Sequence, residues 1–158
     1  MGERSKALAD DFEKAVAEFA DAVEAVPDSK WGTMGADGWT LGVTAEHVAG
    51  QFPLEMEFIT AAAEGKKMPD YSMDDVNSMN DKRAAKNAGV TKDQVLKTLR
   101  DSSASTAAYV RGLSDEQLDR KTAFPLANGA MVSTEQLLLG GVLIDHVRGH
   151  TKSIQAAS

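Results

Sequence analysis

Four stretches of apolar side chains at helical spacing, the second and third separated by the polar run from Gly65 to Gly89, constrain this chain more than any other feature. The first stretch predicts a helix from about Ser5 to Val26, with Leu8, Phe12, Val16, Phe19, Val23 and Val26 on one stripe and Pro27 as its stop. A loop rich in Gly and Asp follows, from Asp28 to Trp39, carrying both Trp31 and Trp39. The second helix is expected from Thr40-Leu41 to Glu64, ending before Gly65, with a kink at Pro53 where a backbone donor is missing. Thr91-Lys92-Asp93-Gln94 is a capping box that opens the third, whose stripe runs through Val95, Leu99, Ser102, Thr106, Val110 and Leu113. Ser114-Asp115-Glu116-Gln117 opens a short helical turn, and Asn128-Gly129 marks a hairpin between two short apolar runs. Ser133-Thr134-Glu135-Gln136 then opens the fourth helix, read as continuous through the periodic run Leu137 to Ile154.

The segment from Gly65 to Gly89, with a short helix expected over Met73 to Lys86, is too long for a tight antiparallel turn. It can cross the length of a bundle and join two parallel helices. The expected fold is therefore all-α, a four-helix bundle of up-down-down-up topology with a long crossover between helices two and three, in one domain over residues 1–158.

Helix four carries His146 and His150, one turn apart, and the stripe that includes Leu139, Leu143 and Ile154 predicts that both imidazoles point inward. The third histidine, His47, lies about two turns into helix two. With helices two and four antiparallel, His47 stands ~9 Å from the near end of its helix and the His146–His150 pair ~12 Å from the matching end of theirs. The three imidazoles then share a level, whereas a parallel pair would separate them. Crossover length and histidine register thus lead to the same topology from different residues. Neutral imidazole nitrogen is a ligand for zinc and its neighbours, so His47, His146 and His150 are candidate ligands of one divalent metal, zinc or nickel first. Three ligands leave a coordination position open. Core histidines with no metal would need polar partners, and few are obvious nearby.

Around them, Gln51 is one turn beyond His47 on the same face, and Asn80 on the crossover can point into the bundle mouth near Trp39. Glu46 and Asp145 point about 100° away from the histidines beside them, and the Lys82-Arg83-Lys86 cluster also reads as solvated surface. A net charge of −7 argues against nucleic acid or an anionic membrane as partner. No apolar run is long enough to span a bilayer, and Met1 to Ser5 does not lead into a secretory segment, so the expected location is cytoplasmic. The absence of cysteine means that a sulfur nucleophile would have to be brought in.

Trp39-Thr40-Leu41 followed by His47, with the ending His146-Val147-Arg148-Gly149-His150-Thr151-Lys152-Ser153-Ile154, resembles the signature of the DinB/YfiT-like superfamily. The resemblance extends over essentially the whole chain, including the asparagine-bearing crossover around Asn80. It implies a four-helix bundle of up-down-down-up topology, a homodimer, and a divalent metal on His47, His146 and His150. Similar proteins include thiol transferases dependent on mycothiol or bacillithiol and a mycothiol-dependent maleylpyruvate isomerase. In the isomerase branch a carboxylate takes one ligand place, where this chain has His146. The resemblance thus implies a metal-dependent S-transferase joining a small-molecule thiol to an electrophile; a metal-dependent hydrolase and a non-catalytic metal- or ligand-binding stress protein are the alternatives.

Overall fold

The computed structural model describes residues 2–158, and its helices close into a four-helix bundle with a hairpin at one end. Helix α1 spans Glu3–Ala25 and is ended by Pro27. Its stripe Leu8, Phe12, Phe19 and Val23 is buried. A 3-10 turn at Asp28–Lys30 and an antiparallel bridge between Met34 and Thr40 give the following loop a fixed path. Helix α2, Leu41–Glu64, starts where Thr40 accepts a hydrogen bond from the Val43 amide and ends at Gly65, whose φ of 67° no β-branched residue would adopt readily. The helix continues through Pro53.

The crossover holds α3, Met73–Lys86, behind a capping box of Ser72 and Asp75. Helix α4 is Lys92–Arg111, with the expected Thr91–Gln94 box, and α5 is Asp115–Asp119, with the expected Ser114–Gln117 box. Strands β1, Lys121–Phe124, and β2, Ala130–Ser133, pair antiparallel. Pro125–Ala127 does not extend the first strand as its apolar character implied; it forms a 3-10 turn, since proline has no amide to donate to a ladder. Asn128 and Gly129 have φ of 56° and 78°, the left-handed pair that this turn demands.

The expected fourth helix is two helices. Helix α6, Thr134–Leu139, stops at Gly140, and α7, Ile144–Ala157, starts after Leu143. Gly140 is extended (φ −83°, ψ −158°), and its carbonyl accepts from the amides of Leu143 and Asp145. The Gly140-Gly141 pair removes the side chains that would have stiffened a continuous helix.

Side-chain ties fix the helix directions. Arg111 at the end of α4 reaches Asp10 and Glu13, while Lys92 at its start reaches the Glu24 and Val26 carbonyls, so α1 and α4 are antiparallel. Ser102 donates to the Ala49 carbonyl and Tyr109 to Glu64, so α2 and α4 run parallel. Arg4 meets Glu135 and Asp11 meets Arg148, so α1 runs parallel to α6 and α7. The result is up-down-down-up, with the crossover joining the parallel pair. Phe12 and Phe52 meet edge to face at 5.4 Å in a core completed by Leu99, Leu138, Ile144 and Ile154. Burying each such side chain contributes roughly 1.5–3 kcal/mol. No helix among the described residues is long and apolar enough to cross a membrane.

Candidate metal centre

Antiparallel packing of α2 and α7 brings the three histidines together. Nε2 of His146 lies 3.1 Å from Nε2 of His47 and 3.1 Å from Nε2 of His150. Three nitrogens around a tetrahedral zinc, at about 2.0–2.1 Å from the ion, stand roughly 3.3 Å apart. The donor set therefore fits a divalent cation: three imidazole nitrogens, converging, able to hold one ion between them. His47 is buried, whereas His146 and His150 are half-buried. The inward stripe of α7 is Ile144, Val147, Thr151 and Ile154, and the two histidines flank it. Leu139, expected on the same stripe, is 41% exposed, because the glycine break rotates α6 out of register with α7.

The outer nitrogens face carboxylates. Nδ1 of His150 is 2.8 Å from Oδ2 of Asp37, whose other oxygen accepts from the Ser153 hydroxyl at 3.2 Å. Nδ1 of His146 is 2.8 Å from Oε1 of Glu55, an approach that is short but off the ideal hydrogen-bond direction. A carboxylate behind Nδ1 favours the tautomer with its proton there, which leaves Nε2 as the ligand atom. Burial, reinforced by His146 and His150, pushes the His47 imidazole down to about 3, and burial also lowers His150. Burial raises the Glu55 carboxyl, opposed by its contact with His146. Neutral, ligand-competent imidazole is thus favoured across the physiological range at His47 and His150.

One of the two carboxylates escaped the sequence reading. Asp37 is in a loop, and nothing local assigns its partner. Glu55 was legible, since it continues the face of His47 and Gln51 on α2. The expected shortage of polar partners around the histidines is corrected by these two carboxylates. Glu46 is not solvated surface: it is buried and ion-paired with Arg83 of α3, so Arg83 also leaves the solvated cluster. Asp145 is exposed, as expected.

The Trp39 ring lies 4.8 Å from that of His47, centroid to centroid. Gln51 and Asn80 line a cavity that reaches His47 and His146. Trp39 is not part of that wall, so the mouth expected to join Trp39 and Asn80 is divided by His47.

The family model of the DinB superfamily matches residues 11–154. The mycothiol-dependent maleylpyruvate isomerase has a TM-score of 0.73 at 18% identity, over 96% of this chain and 60% of its own. This chain therefore spans only about three-fifths of that enzyme's length. YfiT from Bacillus subtilis, described as a "probable metal-dependent hydrolase with an unusual four-helix bundle topology", has a TM-score of 0.75 at 21% identity, over 100% of this chain and 88% of its own. The colibactin self-resistance protein ClbS, solved in complex with dsDNA, has a TM-score of 0.74 at 9% identity, over 97% and 94%. At such identities the likeness is one of fold. No curated protein matches the sequence. The ClbS complex corrects one expectation: net acidic charge does not exclude nucleic acid as a partner for this fold, since local surface rather than total charge meets a phosphate backbone.

Proposed function

The chain belongs to the DinB superfamily, and we propose that it acts as one domain that holds a zinc or nickel ion on His47, His146 and His150 and transfers a small thiol, of the mycothiol or bacillithiol kind, to an electrophile. The observation that carries this reading is the convergence of three imidazoles, with His146 Nε2 3.1 Å from each of the other two Nε2 atoms, carboxylates behind two of the rings and a cavity in front. A divalent cation held there supplies Lewis acidity, which favours deprotonation of a thiol or of water at neutral pH.

The chain's own residues do the rest. Glu55 and Asp37 stand 2.8 Å behind Nδ1 of His146 and His150, where a carboxylate orients the ring with its inner nitrogen toward a metal. Trp39 packs its ring against that of His47 from the loop side. With no cysteine in the chain, the thiol is a co-substrate: its sulfur bonds to the electrophilic carbon, its proton passes to solvent, and the leaving group departs with the displaced bond pair. A hydrolase is the second reading. It draws support from Glu55, whose Oε2 has no partner and can take a proton from water.

Metal content measured on untagged protein comes first, followed by incubation with bacillithiol, mycothiol, coenzyme A or glutathione and monochlorobimane. Metal-dependent conjugation that disappears in His150→Ala supports the transferase. Ester hydrolysis with no response to any thiol supports the hydrolase. Silence in both, with tight metal, leaves a binding protein.

A further inference from the structure

A cavity of about 360 Å³ opens beside the histidines, walled by α2, α3, the hairpin and the α6–α7 break. His47 and His146 form one part of its lining, and Leu54, Phe58, Val76, Phe124 and Val142 make much of the rest apolar. Pockets of this size and character take small organic molecules. Among the described residues, no lysine or arginine lines it. Arg83, on the helix that forms one wall, is committed to Glu46.

Two buried oxygens on the lining side chains have no hydrogen-bond partner among the described residues: Oε2 of Glu55 and Oδ1 of Asn80. Glu55 is only 6% exposed, so water does not satisfy it from bulk. Its Oε1 faces the Nδ1 side of His146, which must carry the proton when Nε2 points inward, and Oε2 is left as an acceptor. Buried acceptors without donors are costly and uncommon, and two around one largely apolar cavity point to a missing donor. An anion entering this cavity would lose its hydration and meet a carboxylate and hydrocarbon.

We propose, building on the reading of the site above, that the electrophilic substrate is an uncharged molecule with a ring-sized apolar body and an N–H or O–H group. Its donor faces Glu55 Oε2 and Asn80 Oδ1, its body fills the space between Val76, Phe124 and Val142, and its reactive end faces His47 and His146. The crossover helix α3, through Val76 and Asn80, therefore sets which substrate is accepted.

The test uses ¹⁵N-labelled full-length protein titrated with benzamide, N,N-dimethylbenzamide and benzenesulfonate, which share a ring and differ in donor and charge. Benzamide should give saturable shifts at the amides of Val76, Asn80 and Phe124, and the other two should bind at least about tenfold more weakly. Asn80→Leu should narrow the gap between benzamide and its dimethyl analogue, and Val76→Trp should abolish the shifts by filling the cavity. Equal binding of benzamide and either analogue, or no saturable shift in those amides with any probe, overturns the proposal. Metal analysis of the same sample keeps the two readings apart: absence of metal refutes the metal centre, while the probe ranking still decides the substrate class.

Discussion

Glu55 touches His146 across the α2–α7 interface at 2.8 Å, and its second oxygen is buried without a partner among the described residues, on a side chain that lines the cavity. One carboxylate therefore links the histidine cluster to the cavity beside it. It holds an imidazole with one oxygen and remains available with the other.

Replacing Glu55 should separate these two duties. Glu55→Gln keeps an oxygen that can accept from Nδ1 of His146, but it removes the negative charge that strengthens the imidazole as a ligand. Metal affinity should fall by ~10-fold for Gln, and toward ~100-fold for Ala, which also leaves Nδ1 facing a void. Competition with a chromogenic chelator measures both. Unchanged affinity in Glu55→Ala would remove Glu55 from the metal centre.

Loss of the α7 histidines should be more severe. His146→Ala/His150→Ala leaves His47 as the sole imidazole, and metal retained after dialysis should drop from near one ion per chain to near none. Elemental analysis of untagged protein decides this. The fold should survive, because the buried stripe Ile144, Val147, Thr151 and Ile154 is untouched.

Acid should weaken the metal-free protein through His47. Its folded pKa, about 3, is below the unfolded value near 6.5, so the unfolded chain binds the extra proton first. This contribution is fully present above pH ~6.5 and is lost as pH falls toward ~3, by at most ~1.4 kcal/mol per unit. His150 acts in the same direction, while Glu55, with a raised pKa, opposes them. Urea unfolding at pH 7 and pH 5 should show the loss, and His47→Leu should flatten it. An identical change of midpoint between those pH values in the metal-free wild type and His47→Leu would contradict the burial of a neutral His47.

Much of this architecture is local and was legible for that reason. Thr40, Thr91 and Ser114 are caps whose side chains act on amides three residues away, and Asn128-Gly129 needs only its own backbone angles. The three histidines were found because helical register projects them to a common level. The Gly140-Gly141 break was missed because apolar residues on both sides keep a helical rhythm through it. Glu46 was misplaced for a different reason. Its direction on α2 was right, but α3 covers that direction, and which helix covers which face is a property of the crossover's path rather than of any sequence window. Asp37 belongs to the same class, since its partners His150 and Ser153 lie on the last helix.

Asp37 should act as a clamp. Asp37→Asn keeps the Ser153 contact in reach and weakens the charge behind His150, so metal affinity should fall by about tenfold with little change in unfolding midpoint. Ser153→Ala removes only the hydroxyl contact and should leave affinity nearly unchanged. An equal effect of the two substitutions would mean that loop position, not charge on the imidazole, is what Asp37 controls.

Gly50 should prove indispensable to the attachment of the crossover. A Cβ at this position would collide with the Arg83 guanidinium and the Glu46 carboxylate, so their ion pair fits over α2 only because position 50 has no side chain. Gly50→Ala gains helix propensity worth about 1 kcal/mol, yet it should destabilise the protein, because Glu46 is left buried without its cation. With Arg83 half exposed, the net loss should be about 1–2 kcal/mol. Moving Arg83 also moves α3, and with it Val76 and Asn80, so Gly50→Ala should weaken ligand binding in the cavity while metal content stays unchanged. In Glu46→Gln/Arg83→Met, which removes both charges, the same Gly50→Ala substitution should cost less, since a flexible thioether can yield where a paired guanidinium cannot. Denaturant midpoints of the four proteins complete this cycle. A stabilising Gly50→Ala in the wild-type background would show that the ion pair does not hold α3 against α2.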